Sequence, residues 1–419
     1  MKISPVKKIR AKFIMPPDKS ITHRVLILSS MANDKSKLYN LLNADDTKRT
    51  YNILKSLGIN FKGDFNKLEV YPKPIREIEK PLYCGNSGTT ARLISGYLST
   101  QNGLFILYGD KSLSKRPMKR IILPLELMGA KIESRNGYLP LIIKGKNLKG
   151  IKYTLPIPSA QLKSAIILAA LNSEGKTIIK GDKNSRDHTE RLIKYMNGNI
   201  EIKNNVISVE KSNLEPLNFK VPGDFSSAAF FITLAILHSN AKIIIENVNL
   251  NPTRIGFLKI LEQMNANIKY EVFENDPEPI GRVIAETSNE LKGIEIPKEL
   301  IPNAIDELPL LALIGLNAEG RTILKNAKEL RVKESDRIKV VVENFKDLGI
   351  KIDELEDGFI VEGKQKITGG KIKTYNDHRI AMMFSILGLI SKEGIDIDNI
   401  NYVKISFPDF LKYIDNLNN

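Results

Sequence analysis

Lys333, Glu334 and Arg337 sit together in the phrase Arg331-Val332-Lys333-Glu334-Ser335-Asp336-Arg337-Ile338. Written on a helix, Lys333 and Arg337 are four apart and share a face, with Glu334 adjacent. A cation beside a carboxylate can trade protons while a neighbouring guanidinium holds a phosphate in its fork. The alternative is a surface ion-pair ladder. Asp306 and Glu307 open an apolar stretch from Leu308 to Leu316, where a carboxylate serves either as a base or as a cap and dipole partner. Near the N-terminus, Pro17-Asp18-Lys19-Ser20-Ile21-Thr22-His23-Arg24 packs cations and hydroxyls into the first turns of a helix. Ser20 is the candidate N-cap, since its hydroxyl can satisfy orphan N–H groups at the helix start. An anion at such an end gains about 0.3–1 kcal/mol per interaction before Lys19 and Arg24 contribute. An ordinary capped helix with solvated charges would read the same way. Gly85-Asn86-Ser87-Gly88-Thr89-Thr90 is a glycine-bracketed helix entry able to cradle an oxyanion, or a plain turn. Asp110 to Pro117 carries Lys111, Lys115 and Arg116 in one loop.

The elements that must position these residues repeat. A small-polar start followed by a strongly apolar helix occurs six times, at Ser20, Ser87, Ser159, Ser226, Asp306 and Asn376. The spacing of roughly 70 residues is enough for a small layered unit of strands and helices. Between the apolar helices run amphipathic ones that end on glycine or asparagine, as at Gly58, Gly129, Gly198, Asn265 and Gly349. Short β-like runs, Tyr138 to Ile143, Thr177 to Lys180, Lys242 to Glu246, Thr322 to Leu324 and Gly358 to Glu362, fill the remainder. The class is therefore α/β, with one helix of each unit buried and one two-faced helix outside. Six units divide most simply into two lobes of three, with a passage near Val221-Pro222-Gly223-Asp224. The pattern does not place the first fifteen residues.

Composition narrows the function. At 419 residues, 42% hydrophobic and 26% charged, the chain reads as a soluble protein of two or more domains. Its apolar runs fall short of the ~20 residues needed to span a bilayer. The N-terminus lacks the apolar core of a signal peptide, which points to the cytoplasm. The net charge of +15 favours acidic ligands. Without a concentrated basic tract or aromatic-rich binding signature, nucleic acid is not the expected partner. Four histidines, His23, His188, His238 and His378, form no metal-type pair, so no metal is expected. Cys84 reads as a small packing residue. Glu174-Gly175-Lys176-Thr177 is not a phosphate loop, because position 170 is Ala and the segment follows a helix.

Taken in order, these phrases resemble the 5-enolpyruvylshikimate-3-phosphate (EPSP) synthase family of enolpyruvyl transferases. The matching text is Asp18-Lys19-Ser20 to Arg24, Gly85 to Arg92, Arg116-Pro117, Ser159-Ala160-Gln161, Ser185-Arg186-Asp187-His188, Asp306-Glu307, Arg331 to Arg337, Asn376-Asp377-His378-Arg379 and Ser406-Phe407-Pro408-Asp409. The resemblance implies two similar lobes, each of three repeated α/β units with buried helices, the inside-out barrel type, joined by two crossings and closing on substrate. The lobes would span 15–224, and 1–14 with 225–419. It implies transfer of the enolpyruvyl group of phosphoenolpyruvate to the 5-hydroxyl of shikimate 3-phosphate, without metal or organic cofactor, by a monomer.

Carried over by position, Lys19, Ser20, Arg24, Ser159, Gln161, Ser185, Asp306 and Lys333 resemble contacts to shikimate 3-phosphate. Lys19, Asn86, Gly88, Arg116, Gln161, Arg337 and Arg379 resemble contacts to phosphoenolpyruvate. Asp306, Glu334 and Lys19 resemble the proton-transfer groups. Three positions depart from the better-known branch: Ala160 replaces a second serine, Glu329 replaces an asparagine, and Lys404 is one residue out of register with a terminal lysine. Gly88 keeps the small residue associated with glyphosate sensitivity. The sister transferase acting on UDP-N-acetylglucosamine carries a loop cysteine that would fall near Lys111, whereas Cys84 lies in another unit.

Overall fold

The computed structural model describes residues 1–181 and 185–417. The chain packs as two compact units, Pro17–Val221, and Met1–Pro16 together with Pro222–Asn419. Each unit has its own apolar core.

Among the described residues the strands form six small sheets. The repeat is clearest in the middle of the first unit. Strand Leu82–Tyr83 precedes the buried helix Gly88–Leu98, strand Gly103–Tyr108 follows it, the outer helix Lys119–Leu127 comes next, and the hairpin Lys131–Arg135 with Tyr138–Gly145 closes the unit. The strands either side of the buried helix pair parallel, and the hairpin adds antiparallel strands. A parallel pair needs a long crossover, and the helix supplies it. Burial alternates along the hairpin, with Leu139, Leu141 and Ile143 facing inward. Lys152–Thr154, Thr177–Lys180, Ile200–Lys203 and Val206–Val209 repeat the arrangement around helix Ala160–Ala170.

Two strands are exchanged between repeats. Ile9–Ile14 lies just ahead of helix Lys19–Ser30 in sequence, yet it pairs parallel with Ala241–Asn249, the strand after helix Phe225–Leu237. Asn218–Lys220 lies ahead of Phe225–Leu237 and pairs with Ser36–Tyr39, the strand after Lys19–Ser30. Lys2–Ile3 adds an antiparallel edge to Ile395–Ile397. The first fifteen residues are thus placed by partners more than 200 residues away, which no local pattern encodes.

The six apolar helices are Lys19–Ser30, Gly88–Leu98, Ala160–Ala170, Phe225–Leu237, Leu310–Asn317 and His378–Ile390. Nearly every residue of Phe225–Leu237 is buried, as an all-round apolar helix requires. Packing is close enough that a Cβ on Gly96 would meet Ala165 O at 2.3 Å. The outer helices stop close to where expected, although after helix His188–Tyr195 the left-handed residue is Asn197 and not Gly198. Gly129 and Asn265 follow theirs in the left-handed region, with φ of 105° and 61°. Among the described residues no helix is long and apolar enough to cross a membrane.

Three local expectations are corrected. The first buried helix is capped by Asp18, whose carboxylate accepts from Ile21 N at 2.8 Å, and Ser20 lies inside it. The fifth buried helix begins at Leu310 after Pro309, with no side-chain cap, so Asp306 and Glu307 stand in the turn before it. Lys333 does not share a helix face with Arg337. Asp336 accepts from Lys339 N and starts the helix at Arg337, leaving Lys333 in extended backbone at φ −85° and ψ −151°.

Candidate active site

In unit Pro17–Val221 the starts of three buried helices carry the polar side chains. Lys19 Nζ lies 3.0 Å from Asp46 Oδ2, on the first turn of helix Asp45–Ser56. Arg24 is buried and reaches two other elements, donating to Thr189 Oγ1 at 2.7 Å and Ser164 Oγ at 2.9 Å. Ser20 Oγ accepts from Arg186 at 3.4 Å. Ser87 and Ser159 cap their helices as expected, accepting from Thr90 N and Leu162 N. Arg116 donates to Asn86 Oδ1, and Asn86 donates to Asp110 Oδ2 at 2.7 Å. Arg92 donates to Gln161 Oε1 at 2.5 Å, and Gln161 donates onward to Thr89 Oγ1 at 3.0 Å. Gly88 fits between guanidinium groups: a Cβ there would stand 2.8 Å from Arg92 Nη1 and 3.6 Å from Arg116 Nη1. Ser185 is buried, and its carbonyl accepts from Lys163 Nζ at 3.1 Å.

Beneath this layer His23 is fully buried, with Nδ1 2.7 Å from Thr50 Oγ1. Thr50 meets Thr90 at 2.8 Å, and Thr90 meets Ser87 at 2.8 Å, tying two helix starts together. Burial, then the charges of Lys19 and Arg24, hold the imidazole well below its ordinary range, so it is neutral. Burial pushes the Cys84 thiol up to about 12, consistent with an inert packing residue.

The other unit gathers carboxylates and cations around Asp306. Its Oδ1 lies 3.5 Å from Lys333 Nζ and 3.7 Å from Arg337 Nη1, and its Oδ2 lies 3.7 Å from Arg379 Nη2. Arg337 is buried and paired to Asp377 at 2.8 Å and to Glu334 at 2.5 Å. Burial pushes the Asp377 carboxyl up, but the Arg337 guanidinium leads the contributions that bring it below the usual range. Burial lowers Lys333 from the ordinary lysine range, with Asp306 the strongest opposing charge. An ammonium so placed gives up a proton more readily than a solvated one. Arg379 also donates to Ser226 Oγ at 3.2 Å. Ser226 in turn donates to the buried Glu307 at 2.5 Å, and Arg254 pairs with Glu307 at 3.1 Å.

Each expected residue therefore lies in one of the two units. Lys19, Ser20, Arg24, Asn86, Gly88, Arg116, Ser159, Gln161 and Ser185 lie in unit Pro17–Val221; Asp306, Lys333, Glu334, Arg337 and Arg379 lie in the other. Sequence reasoning passed over Asp46, Lys163, Glu190 and Arg254. Asp46 had a signal, the acidic pair Asp45-Asp46 opening an amphipathic helix. Arg254 had none, because only the folded chain brings it to Glu307.

A family model described as EPSP synthase (3-phosphoshikimate 1-carboxyvinyltransferase) matches residues 3–414. A relative from Thermotoga neapolitana named 3-phosphoshikimate 1-carboxyvinyltransferase is 51% identical over 416 residues, covering 99% of each chain. One of the same name from Thermodesulfovibrio yellowstonii is 44% identical over 424 residues, again covering 99% of each. The solved EPSP synthase of Acinetobacter baumannii is similar with a TM-score of 0.87 at 39% identity, covering 99% of this chain and 97% of that one. The enolpyruvyl transferase NikO from Streptomyces tendae shares the fold, with a TM-score of 0.81 at 14% identity, over 99% of this chain and 96% of its own.

Proposed function

The chain belongs to the EPSP synthase family and is an enolpyruvyl transferase of the shikimate pathway, and from that premise we propose how its side chains divide the reaction. The reaction moves the enolpyruvyl group of phosphoenolpyruvate onto the 5-hydroxyl of shikimate 3-phosphate and releases phosphate. Addition needs the hydroxyl deprotonated while the methylene carbon gains a proton, and elimination takes that proton back. Asp306 is the acceptor for the hydroxyl proton, and Glu334 and Lys19 exchange the proton at carbon. Lys19, Ser20, Arg24, Ser159, Gln161, Ser185, Asp306 and Lys333 bind shikimate 3-phosphate. Lys19, Asn86, Gly88, Arg116, Gln161, Arg337 and Arg379 bind phosphoenolpyruvate, with guanidinium forks suited to carboxylate and phosphate. The observation that carries this assignment is Asp306 ringed by Lys333, Arg337 and Arg379 at 3.5–3.7 Å. A carboxylate so placed has cations at hand for an anionic substrate brought to its hydroxyl.

The enzyme acts as a monomer in the cytoplasm, and glyphosate inhibits it because Gly88 leaves room beside the guanidinium groups. A coupled phosphate-release assay tests the reading. Turnover is expected with shikimate 3-phosphate and phosphoenolpyruvate together, and not with UDP-N-acetylglucosamine as acceptor. Sedimentation tests the oligomeric state, and uninhibited turnover at millimolar glyphosate refutes the inhibitor assignment.

A further inference from the structure

Lys163 and Glu190 form an ion pair of 2.6 Å in which each side chain is only 1% exposed, and the reaction as described uses neither. Lys163 lies in the first turns of helix Ala160–Ala170, the helix capped by Ser159 and carrying Gln161. Glu190 lies in the first turn of helix His188–Tyr195. The lysine ammonium also donates to the backbone carbonyl of Ser185 at 3.1 Å. One position along, the same two helices are joined again: Ser164 Oγ meets Thr189 Oγ1 at 2.7 Å, and Arg24 donates to both hydroxyls. This buried polar layer thus links the helix of Lys19, Ser20 and Arg24, the helix of Ser159 and Gln161, and the segment of Ser185.

A buried ion pair is poor evidence for a stability role, because apolar side chains of similar volume are commonly as stable in its place. Burial works against the charged form of Glu190, and Lys163 opposes that effect. An apolar pair could fill the same space, but it could not hold the Ser185 carbonyl. We propose that Lys163 and Glu190 are positioning residues that fix Ser185 against the start of helix Ala160–Ala170 and thereby set the affinity for the phosphate-bearing acceptor. The inference rests on the assignment of Ser159, Gln161 and Ser185 to shikimate 3-phosphate. Lys163 supplies the anchor, and Glu190 compensates its charge where water cannot.

The test uses the full-length enzyme and steady-state phosphate release, varying each substrate with the other saturating. Replacing one partner strands the other charge, so the informative variant is the double Lys163→Met/Glu190→Leu, which keeps the volume and removes both charges. Its KM for shikimate 3-phosphate is expected to rise tenfold or more, with the melting temperature close to that of the parent and with kcat and the KM for phosphoenolpyruvate changed less than threefold. An unchanged KM for shikimate 3-phosphate overturns the inference. Failure of the double variant to fold also overturns it, because the pair is then a requirement of the fold and not of binding. Ser159→Ala and Ser185→Ala separate the two readings. If neither raises the KM for shikimate 3-phosphate, the site assignment is wrong; if they raise it and the double variant does not, only the positioning role is wrong.

Discussion

Gly88→Ala should cost binding of phosphoenolpyruvate more than stability. Gly88 opens its helix without a positive φ, so alanine is compatible with the backbone and should stabilise by about 0.4–1 kcal/mol through the unfolded chain. The cost falls on the site. The new methyl carbon would stand 2.8 Å from Arg92 Nη1, where ordinary contact begins at 3.4 Å, so the guanidinium must retreat by about 0.6 Å. It is the end of a flexible side chain and can do so without moving backbone. Its bond to Gln161 Oε1, at 2.5 Å, is then stretched or broken. A hydrogen bond to a charged group is worth about 1.5–3 kcal/mol, or about 10–150-fold in affinity. Steady-state phosphate release should show the KM for phosphoenolpyruvate rising within that range. The KM for shikimate 3-phosphate should rise less, because Gly88 and Arg116 are assigned to phosphoenolpyruvate alone. The melting temperature should fall by no more than a few degrees, since the gain through the unfolded chain offsets part of the weakened bond. A variant with parental KM for phosphoenolpyruvate would show that Arg92 and Gln161 do not transmit the change.

Asp306→Asn and Glu334→Gln should each lower kcat by about 10²–10⁴-fold with the fold intact, as expected for general acid–base groups; near-parental turnover in either removes that residue from proton transfer. Glu307→Gln should instead weaken the fold, because it leaves Arg254 buried against a neutral partner, at a cost of about 3–5 kcal/mol read in denaturant unfolding. His23 is neutral in the fold, with a depressed pKa, whereas the unfolded chain protonates it near 6.5. Its contribution to stability is therefore complete above that pH and declines as pH falls toward the folded pKa, by up to ~1.4 kcal/mol per pH unit. His23→Asn should flatten the acid side of the stability profile, and an unchanged slope between pH 7 and 5 refutes the assignment.

Much of the architecture was written locally. Ser87 and Ser159 announce helix starts because a hydroxyl before an apolar run has one useful partner, the N–H groups just ahead. The Gly- and Asn-terminated outer helices are legible because a left-handed residue must follow the last turn. The failures share one cause. Asp18 displaced Ser20 as cap because an aspartate two residues earlier offered the same bond, and propensity does not rank such neighbours. Lys333 left the helix because Asp336 captured the cap closer to Arg337, although both cations still reach Asp306. The exchanged strands Ile9–Ile14 and Asn218–Lys220 each lie just ahead of a buried helix, and only packing decides which sheet each completes.

Asp306 and Glu307 show most sharply what sequence leaves undecided. They are adjacent carboxylates before the same helix, and either could be the base. The fold divides them by what comes from elsewhere. Glu307 is 1% exposed, receives Ser226 at 2.5 Å and is gripped by Arg254 at 3.1 Å. An acceptor so engaged has little left to offer a substrate. Asp306 keeps 14% of its side chain open and faces Lys333, Arg337 and Arg379 at 3.5–3.7 Å. The same arginine touches both arrangements, since Arg379 donates to Ser226 and to the Asp306 carbonyl. Glu307 thus holds Ser226 and Arg254, and Ser226 in turn accepts from Arg379. Two adjacent carboxylates thus end in different surroundings, one closed in by Ser226 and Arg254 and the other facing three cations, because the partners of each come from more than 25 residues away in sequence; Asp306 as the base is the reading that Asp306→Asn tests.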